Sequence, residues 1–417
     1  MGTAAVSAVI LAAGEGRRLE PLTNRRPKPM VPVANRPLLE HVLEAVVAAG
    51  IDHVVFVVGY RQERIRNHFG DGDDWDVDID YVEQSTQLGT GHAVLQAEPA
   101  VDGPFVVLNG DRIVDPSIVA EVCDHAASGE TPTMAVTRVD NPQAYGVVTL
   151  DGDQVVAIDE KPEGPVETGR INAGVYGFSP AVFEAIRETT TAGELTITAT
   201  LNDLAVSAGV HAVSYDDRWL DVSNLWDLLA VNAALIGAGE AVGEAAGEGT
   251  VGEAAAAGDE KTGDAEPPSE TTGAHPDSVS VANDVVLADT VRVGPNVTLG
   301  GATAIGRNAT VEAGAVVENA VVFPDAVIGA GAVVRDAIIA GNARVGPNTT
   351  IAGEPATVVV GDTVHHDVAL SGVVGDNATI GAGATITDGA VVGDDVAAEA
   401  GVVVDGRVAP GAVVRRG

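Results

Sequence analysis

A short polar segment near the start of the chain has residue types that bind phosphate. Gly14 and Gly16 stand one residue apart, and Arg17 and Arg18 follow at once. Glycines let neighbouring backbone N–H groups turn toward one anion, and arginine adds a positive charge that does not titrate at neutral pH. The segment therefore predicts a phosphate-binding loop, with an ordinary tight turn as the alternative. The P-loop pattern is absent, and Leu19 stands where the dinucleotide fingerprint has its third glycine.

A carboxylate after a second apolar run is a candidate metal ligand. Asp111 follows the strand-like residues 105–108 and a glycine. A carboxylate at the end of a strand can hold a divalent cation such as Mg²⁺, which prefers oxygen ligands. Aspartate is also a common turn residue, and on this residue alone that alternative stays open.

Alternating strand-like and helix-like segments must position both loops. The pattern predicts strands at 6–11, 54–58, 79–82 and 105–108, and helices at 38–49, 62–69 and 92–97. This rhythm favours an α/β fold with a Rossmann-like, mostly parallel sheet over residues 1–236. Ligands of such sheets lie beyond the carboxyl ends of the strands, where residues 14–18 and 109–111 both fall.

The composition changes after this domain. Residues 237–275 are rich in Gly, Ala and Glu, which predicts an acidic, flexible linker. Residues 276–417 then carry an aliphatic side chain about every sixth position, interrupted between 352 and 373. The period predicts a parallel β-helix built from hexapeptide repeats, in which these side chains point inward and stack. They are Val281, Leu287, Val293, Leu299, Ile305, Val311, Val317, Val322, Ile328, Val334, Ile339, Val345, Ile351, Val374, Ile380, Ile386, Val392 and Val404.

The opening of the chain resembles that of the sugar nucleotidyltransferases, the nucleotide-sugar pyrophosphorylases. The family pattern L-A-A-G-x-G-T-R-L-x-P-L-T, followed by K-P-M-x-P, matches residues 11–23 and 28–32, except that Arg17 replaces the usual threonine. The resemblance implies that Arg18 binds the triphosphate and that Lys28 binds a phosphate. Further motifs follow in family order over about 225 residues, and together they are a more specific signal than any one of them.

The resemblance implies attack by a sugar 1-phosphate oxygen on the α-phosphorus of a nucleoside triphosphate, with release of pyrophosphate. The nucleophile is already an anion, so the site needs positive charge and Mg²⁺ more than a strong base. The implied catalytic residues are Arg18 and Lys28, and the implied metal ligands are Asp111 and Asp221. The other implied contacts are with the nucleotide, from Leu11, Ala13, Gly14, Gly16, Gln84, Gly89 and Thr90, and with the sugar phosphate, from Gly146, Glu160, Lys161 and Asn172. Asp221 lies in a Trp-x-Asp segment in which Ser223 and Asn224 replace the family's Gly-Thr.

Residues 84–93 resemble the family's base-recognition segment. The amide of Gln84 can pair with both the carbonyl and the imide N–H of a pyrimidine, which favours UTP or dTTP. The motif Leu-Gly-Thr-Gly-His-Ala is most similar to that of uridylyltransferases that act on N-acetylglucosamine 1-phosphate. Glucose 1-phosphate is the other candidate sugar phosphate. His92 is interpreted as a residue of a helix start rather than as a catalyst.

The C-terminal repeats leave the number of activities open. The resemblance to hexapeptide proteins implies a left-handed, three-sided helix and trimer-based homo-oligomers. Archaeal and bacterial bifunctional relatives use a similar β-helix to acetylate glucosamine 1-phosphate with acetyl-CoA, and here His365 and His366 are the candidate bases. Most of the acetyltransferase motifs are missing, so a single-function nucleotidylyltransferase with an oligomerising β-helix is the leading hypothesis. A non-catalytic scaffold or sensor is the third.

Composition limits the partners and the environment. The formal net charge is −37, and among 23 basic residues only Lys28, Lys161 and Lys261 are lysines. Such a composition argues against nucleic acid as a partner and resembles proteins of salt-loving microbes. Cys123 is the sole cysteine, so no intrachain disulfide forms. Without a membrane-spanning run or signal peptide, the expected location is the cytoplasm, with NTP and sugar 1-phosphate as small-molecule partners.

Overall fold

The computed structural model describes residues 5–162, 164, 166, 169–190, 193–239, 278–360 and 363–416. The chain forms two compact units, Met1–Pro32 with Pro37–Asn224, and Val33–Arg36 with Leu225–Gly417. Most of the expected acidic linker, residues 240–275, lies outside the described residues, as does Lys261. No helix in the described part of the chain is long and apolar enough to span a membrane.

The first 239 residues contain thirteen strands and seven α-helices within the described segments. The strands are β1 (Ser7–Ala12), β2 (Pro32–Val33), β3 (Arg36–Pro37), β4 (His53–Val58), β5 (Asp78–Glu83), β6 (Phe105–Asn109), β7 (Arg112–Val114), β8 (Thr133–Arg138), β9 (Gly146–Asp151), β10 (Gln154–Glu160), β11 (Arg170–Phe178), β12 (His211–Tyr215) and β13 (Trp219–Asp221). The helices are α1 (Leu38–Ala48), α2 (Gln62–Phe69), α3 (Thr90–Gln96), α4 (Pro116–Ser128), α5 (Ala181–Glu188), α6 (Ile197–Ser207) and α7 (Asp227–Gly237).

The main sheet of the first unit has nine strands in the order β5-β4-β1-β6-β11-β8-β12-β10-β9. Strands β5, β4, β1 and β6 are parallel, as the alternation of strands and helices predicts. The other half is mixed, because β11 runs antiparallel to both β6 and β8 and because β9 and β10 form a hairpin. The sheet as a whole is therefore mixed rather than mostly parallel.

Two apolar layers cover this sheet because alternate residues of each strand face opposite sides. In β1, Ala8 and Ile10 pack with α1 on one side, while Val9 packs with α3 and α6 on the other. Burial of both faces explains why the central strands are near-continuous apolar runs. The predicted strands and helices of this half are present, with bounds shifted by one or two residues, and α3 begins at Thr90 rather than His92.

The second unit is a parallel β-helix of short strands. They are β14 (Ser280–Val281), β15 (Val285–Leu287), β16 (Arg292–Val293), β17 (Thr298–Gly300), β18 (Thr303–Ile305), β19 (Thr310–Val311), β20 (Val316–Val322), β21 (Val327–Ile328), β22 (Val333–Ile339), β23 (Arg344–Val345), β24 (Thr350–Ile351), β25 (Ala356–Val360), β26 (Thr363–Val368), β27 (Gly372–Val374), β28 (Thr379–Ile380), β29 (Thr385–Ile386), β30 (Ala390–Val392), β31 (Ala397–Ala398), β32 (Val403–Val404), β33 (Arg407–Val408) and β34 (Val413–Val414).

The register of these strands accounts for the period of six. Thr298 pairs with Val316, and Arg292 pairs with Thr310, so one coil takes 18 residues and contains three strands. Fifteen of the eighteen predicted aliphatic positions, from Leu299 onward, lie in one continuous buried core. Val281, in the first described strand of this unit, β14, is 41% exposed. The three-sided stacking is thus confirmed, while left-handed winding stays a prediction.

Two features of the second unit depart from a uniform solenoid. The interruption after residue 351 forms an antiparallel hairpin of β25 and β26, so Ala337 pairs with Gly372 across the insertion. Helix α7 packs against β18, β20 and β22 of this unit. Leu228 and Leu235 of this helix are buried, and α7 belongs to the second compact unit, which includes the residues from Leu225 onward. The domain boundary expected after residue 236 stays a prediction.

Candidate active site

Strand pairing brings the two predicted loops of the first unit together. Leu11, the next-to-last residue of β1, pairs with Asn109, the last residue of the parallel strand β6. The backbone N–H of Gly110 also donates to the Leu11 carbonyl at 2.9 Å. The carboxyl ends of two adjacent parallel strands therefore open on the same side, where ligands of such sheets bind.

The predicted phosphate loop is held by a close approach to Lys28. Gly16 has φ +75°, and a Cβ atom at this position would lie 2.5 Å from Lys28 Cβ. The Thr23 hydroxyl donates to the Gly16 carbonyl at 3.0 Å. Arg17 begins a single 3-10 turn, is 80% exposed and pairs with Glu15 at 2.7 Å, and Arg18 is also exposed. A glycine is needed at position 16 for both its backbone angle and this contact.

Lys28 also contacts the candidate metal ligand. Its ammonium Nζ lies 2.5 Å from Asp111 Oδ2, and both side chains are largely buried. Burial, the largest influence, raises the pKa of Asp111, but the positive charges of Lys28 and Arg112 outweigh it and hold that pKa below its usual value. The carboxylate therefore stays ionised at neutral pH, in the form that can bind a cation.

The second carboxylate, Asp221, lies on a strand paired with the residue that follows Asp111. Strands β13 and β7 are antiparallel, and Asp221 is the partner of Arg112 in their register. Asp221 is 4% exposed, accepts a hydrogen bond from the Ser223 hydroxyl at 2.5 Å and lies 3.8 Å from Arg112 Nε. Burial lowers the pKa of Arg112, but Asp221 and Asp111 outweigh it, so that pKa is raised and Arg112 stays charged.

A cavity of about 1130 Å³ in the first unit brings together most of the predicted residues. All seven predicted nucleotide-binding residues line it, as do Arg18, Lys28 and Asp111. Asp221 does not line it, although its hydrogen-bond partner Ser223 does. The four predicted sugar-phosphate residues do not line it either. The predicted catalytic residues Arg18 and Lys28 therefore line the same cavity as the predicted nucleotide-binding residues.

Three of the predicted sugar-phosphate residues, Gly146, Glu160 and Lys161, lie close to one another. Gly146 and Glu160 are register partners on β9 and β10, and a Cβ atom at Gly146 would lie 3.0 Å from Glu160 Oε1. Lys161 is exposed, has φ +49° and donates its backbone N–H to the Tyr145 carbonyl at 3.0 Å. The group therefore offers an exposed carboxylate and an exposed ammonium beside a residue without a side chain.

Asn172, the fourth predicted sugar contact, is used inside the protein. Its Nδ2 donates to the Tyr176 hydroxyl at 2.7 Å, and its Oδ1 accepts from the Gly174 N–H at 2.9 Å. The side chain is buried, and its backbone carbonyl accepts from Arg112 at 3.2 Å. These contacts use one amide hydrogen and one lone pair of Asn172, and a primary amide has two of each. Its contact with the sugar therefore stays a prediction.

Comparison with known proteins identifies the first half of the chain. The sequence matches the nucleotidyl transferase family over residues 7–237. The chain belongs to this family. Residues 281–371 of the second unit match the family described as the GMPPB C-terminal domain.

Several curated proteins are similar to this nucleotidyl transferase. The bifunctional protein GlmU of Methanococcus maripaludis is 36% identical over 231 residues, which are 54% of this chain and 54% of that protein. A glucose-1-phosphate thymidylyltransferase of Streptomyces antibioticus is 37% identical over 55% of this chain and 66% of its own length. The low-salt glycan biosynthesis nucleotidyltransferase Agl11 of Haloferax volcanii is 36% identical over 55% of this chain and 65% of its own length. The chain thus spans about half the length of the archaeal GlmU proteins that it matches.

A solved structure shares the fold of about half of this chain. A Bacillus anthracis protein, assigned as a glucose-1-phosphate thymidylyltransferase and crystallised with sucrose, aligns with a TM-score of 0.51 over 55% of this chain and 94% of its own. The two sequences are 24% identical, so this likeness is one of fold.

Two residues of this nucleotidyl transferase site were not among the predicted ones. Arg112 lies between the two acidic residues and lines the cavity, and Ser223 donates to Asp221. Arg112 follows Asp111 directly in the sequence, yet nothing local indicates that a second carboxylate is its strand partner. Ser223 stood out only as a departure from the family's Gly-Thr.

The two histidines of the second unit lie on β26. The ring of His365 is 4.9 Å from the ring of Trp226, at the start of α7, and His366 Nδ1 lies 3.3 Å from the Thr357 hydroxyl. His365 is half-buried and His366 is exposed. The use of either as an acetyltransferase base, with acetyl-CoA, stays a prediction.

Proposed function

We propose that this protein is a sugar-1-phosphate nucleotidylyltransferase. It transfers the nucleotidyl group of a pyrimidine nucleoside triphosphate, UTP or dTTP, to glucose 1-phosphate or N-acetylglucosamine 1-phosphate and releases pyrophosphate. The proposal rests chiefly on the single cavity that holds all the predicted nucleotide-binding residues together with Arg18, Lys28 and Asp111. Membership of the nucleotidyl transferase family supports the same reaction.

The phosphate end of the cavity is built for polyanions in a strongly acidic protein. The backbone around Gly14 and Gly16 and the side chains of Arg18 and Lys28 provide donors and positive charge. A sugar 1-phosphate oxygen attacks the α-phosphorus, the bond from this phosphorus to the bridging oxygen breaks, and pyrophosphate leaves. Because negative charge builds on the α-phosphate during this step, fixed cations stabilise its transition state more than the free reactants.

We propose that Asp111 and Asp221 would hold a magnesium ion. Asp111 is held ionised beside Lys28 and Arg112, and Asp221 has a hydroxyl donor that orients it. No group of three or more His, Cys, Asp or Glu side chains in the described segments could hold a metal by itself. Mg²⁺ commonly binds through one or two carboxylates and completes its shell with water and substrate phosphates, so two ligands suffice. When bound, the ion would neutralise phosphate charge and align the triphosphate.

The sugar phosphate would lie next to the Gly146, Glu160 and Lys161 group. Glu160 can accept hydrogen bonds from sugar hydroxyls, and Lys161 can pair with the sugar phosphate. The missing Cβ atom of Gly146 leaves room beside Glu160. Asn172 stays a proposed sugar contact, because Tyr176 and Gly174 use only one hydrogen and one lone pair of its amide.

The remaining properties are proposed from composition and from the β-helix. We expect a cytoplasmic enzyme adapted to high salt, because screening offsets the repulsion of a net charge of −37. We also expect a trimer-based homo-oligomer, which light scattering of the purified protein in high salt would measure.

A substrate panel tests the proposal. Purified protein is assayed for pyrophosphate release with four nucleoside triphosphates and several sugar 1-phosphates, in high salt with and without Mg²⁺. The expected result is Mg²⁺-dependent release with UTP or dTTP and one hexose 1-phosphate. Each matched reaction without the sugar phosphate measures simple triphosphate hydrolysis. The absence of sugar-dependent release with every pair would contradict the proposal.

A further inference from the structure

The side-chain amide of Gln84 has one orientation in the structure. Its Nε2 donates to the Gly89 carbonyl at 3.1 Å and lies 3.0 Å from His92 Nδ1. A backbone carbonyl only accepts hydrogen bonds, so the amide atom beside it must be the nitrogen. Gly89 therefore fixes which end of the Gln84 amide is used inside the protein.

The amide oxygen of Gln84 is the end left for a ligand. Gln84 is 5% exposed and lines the cavity. Among the described residues no donor contacts its Oε1. This oxygen is not one of the fully buried polar atoms without a hydrogen-bond partner, so part of its surface is accessible. The cavity is thus offered a hydrogen-bond acceptor at this point, while the amide nitrogen contacts Gly89 and His92.

His92 completes this arrangement through one ring nitrogen. A neutral imidazole has a single acceptor nitrogen. The contact from Gln84 to Nδ1 is 3.0 Å, whereas Gln96 Nε2 lies 3.4 Å from the other nitrogen and also donates to the His92 carbonyl at 3.1 Å. The shorter contact assigns the acceptor to Nδ1 and the ring proton to Nε2. His92 then holds the second amide hydrogen of Gln84.

We infer that His92 is a positioning residue that, with Gly89, turns the Gln84 carbonyl oxygen toward the base of the nucleotide. This inference rests on the proposed function, since it takes the cavity to be a nucleotide site. Uracil and thymine carry an N–H at ring position 3, which an acceptor binds, whereas cytosine has a lone pair there. An acceptor facing cytosine leaves two lone pairs opposed and desolvated, which disfavours binding. Gln84 thus distinguishes the two kinds of pyrimidine, and His92 acts through it.

The experiment compares two replacements of His92 by nucleotide binding. His92→Asn keeps an acceptor at the position of Nδ1, because Asn Oδ1 is equally far along the side chain. His92→Leu removes the acceptor and keeps an apolar side chain of similar reach, and His92→Phe is a second such variant should leucine prevent folding. Calorimetric dissociation constants for UTP, dTTP and CTP are measured for the intact wild type and for each variant, with circular dichroism as the check on folding.

The expected results separate positioning from a structural role. The wild type should bind UTP and dTTP at least about tenfold more tightly than CTP. His92→Leu should reduce the UTP:CTP ratio by about threefold to tenfold, the worth of one hydrogen bond, while His92→Asn keeps it within about twofold. A UTP analogue methylated at N3 should bind the wild type as weakly as CTP. An unchanged ratio in folded His92→Leu, equal binding of UTP and CTP by the wild type, or unimpaired binding of the methylated analogue would overturn the inference.

The same samples distinguish this inference from the proposed reaction. Binding that prefers UTP, without pyrophosphate release from any sugar 1-phosphate, would reject the reaction and leave the role of His92 standing. Pyrophosphate release at equal rates with CTP and UTP would support the reaction and reject the role of His92.

Discussion

Lys28 Nζ lies 2.5 Å from Asp111 Oδ2, across 83 residues of sequence. The contact joins the segment that follows the phosphate loop to the end of β6. It places a fixed cation against the carboxylate proposed to hold Mg²⁺, and the attraction helps to keep that carboxylate ionised. The loop, the lysine and the aspartate are therefore in contact, and we expect a substitution at any one of them to alter the position or the charge state of the others.

Replacement of Lys28 should change both the enzymatic activity and the pH dependence of the free energy of unfolding. Lys28→Met is expected to lower kcat/KM by about a hundredfold or more, because a charge that stabilises the transition state is lost. It should also raise the pKa of Asp111, which Lys28 helps to depress. A depressed carboxyl pKa stabilises the fold above about pH 4 and stops doing so as the pH falls through the folded-state value.

Urea unfolding as a function of pH measures this effect. The difference in free energy of unfolding between wild type and Lys28→Met should be largest near neutral pH and should shrink in acid. Arg335→Met, which removes an ion pair with Glu318 on the β-helix, is the control for general charge loss. A difference that grows on acidification would contradict the assignment.

The two proposed magnesium ligands should differ from a structural aspartate. Asp111→Asn and Asp221→Asn are each expected to lower kcat by about a hundredfold or more and to raise the Mg²⁺ concentration needed for half activity, because an amide binds Mg²⁺ more weakly than a carboxylate. Asp115→Asn is the matched control. Asp115 caps α4 by accepting from the Ser117 N–H at 3.0 Å, a role that asparagine keeps.

Magnesium titrations of pyrophosphate release provide the measurement, and a chelator should abolish the wild-type rate. A normal magnesium requirement in Asp111→Asn would remove this residue from the metal site. Loss of activity in Asp115→Asn equal to that in the other two variants would point to a general structural effect.

The two glycines of the phosphate loop should tolerate alanine differently. Gly16→Ala is expected to reduce the free energy of unfolding by about 1–3 kcal/mol, because φ is +75° and the new methyl group would lie 2.5 Å from Lys28 Cβ. Gly14→Ala meets no atom within 4 Å and should change it by no more than about 0.5 kcal/mol. Denaturant unfolding of both variants measures these changes. Equal losses of free energy of unfolding would show that the close approach of Lys28 to Gly16 does not limit the side chain at this position.

A methyl group at Gly146 should affect the sugar phosphate more than the nucleotide. In Gly146→Ala the Cβ atom would lie 3.0 Å from Glu160 Oε1, so the flexible end of Glu160 must move. We expect KM for the sugar 1-phosphate to rise about threefold to tenfold, as for the loss of one hydrogen bond, with UTP binding unchanged. Gly237→Ala, at an open helical position, is the control. An equal loss of UTP affinity would show that the sugar group and the nucleotide cavity are not separable in this way.

Salt should stabilise the protein. Raising KCl from about 0.1 M to about 1 M shortens the Debye length from about 10 Å to about 3 Å and so screens repulsion among the excess acidic residues. With a net charge of −37, the expected result is a Tm that rises over this range. Differential scanning calorimetry measures it, with sucrose at matched osmolality as the control. A Tm that falls with KCl would argue against adaptation to high salt.

The repetitive and motif-bearing parts of the fold were readable from the sequence. The period of six predicted the β-helix core because each inward residue is recorded locally, at a fixed spacing, from Leu299 to Val404. The motifs around Gly14 and Lys28 likewise predicted that these residues act together, and they line one cavity. In the first half of the sheet, strand and helix order sufficed, because consecutive β-α-β units become parallel neighbours.

Other features depended on long-range pairing, which no local pattern records. Strand β11 enters the sheet antiparallel to β6, and α7 packs against the β-helix strands β18, β20 and β22.

The sequence by itself determined which residues are available for phosphate, metal and sugar, since chemistry follows from residue type and a repeat follows from spacing. Only the tertiary structure decided that Asp221 pairs with Arg112 and that His92 and Gly89 set the direction of the Gln84 amide. Hydrogen-bond direction and the choice of strand partner depend on atoms that are distant along the chain or on backbone groups that every residue shares.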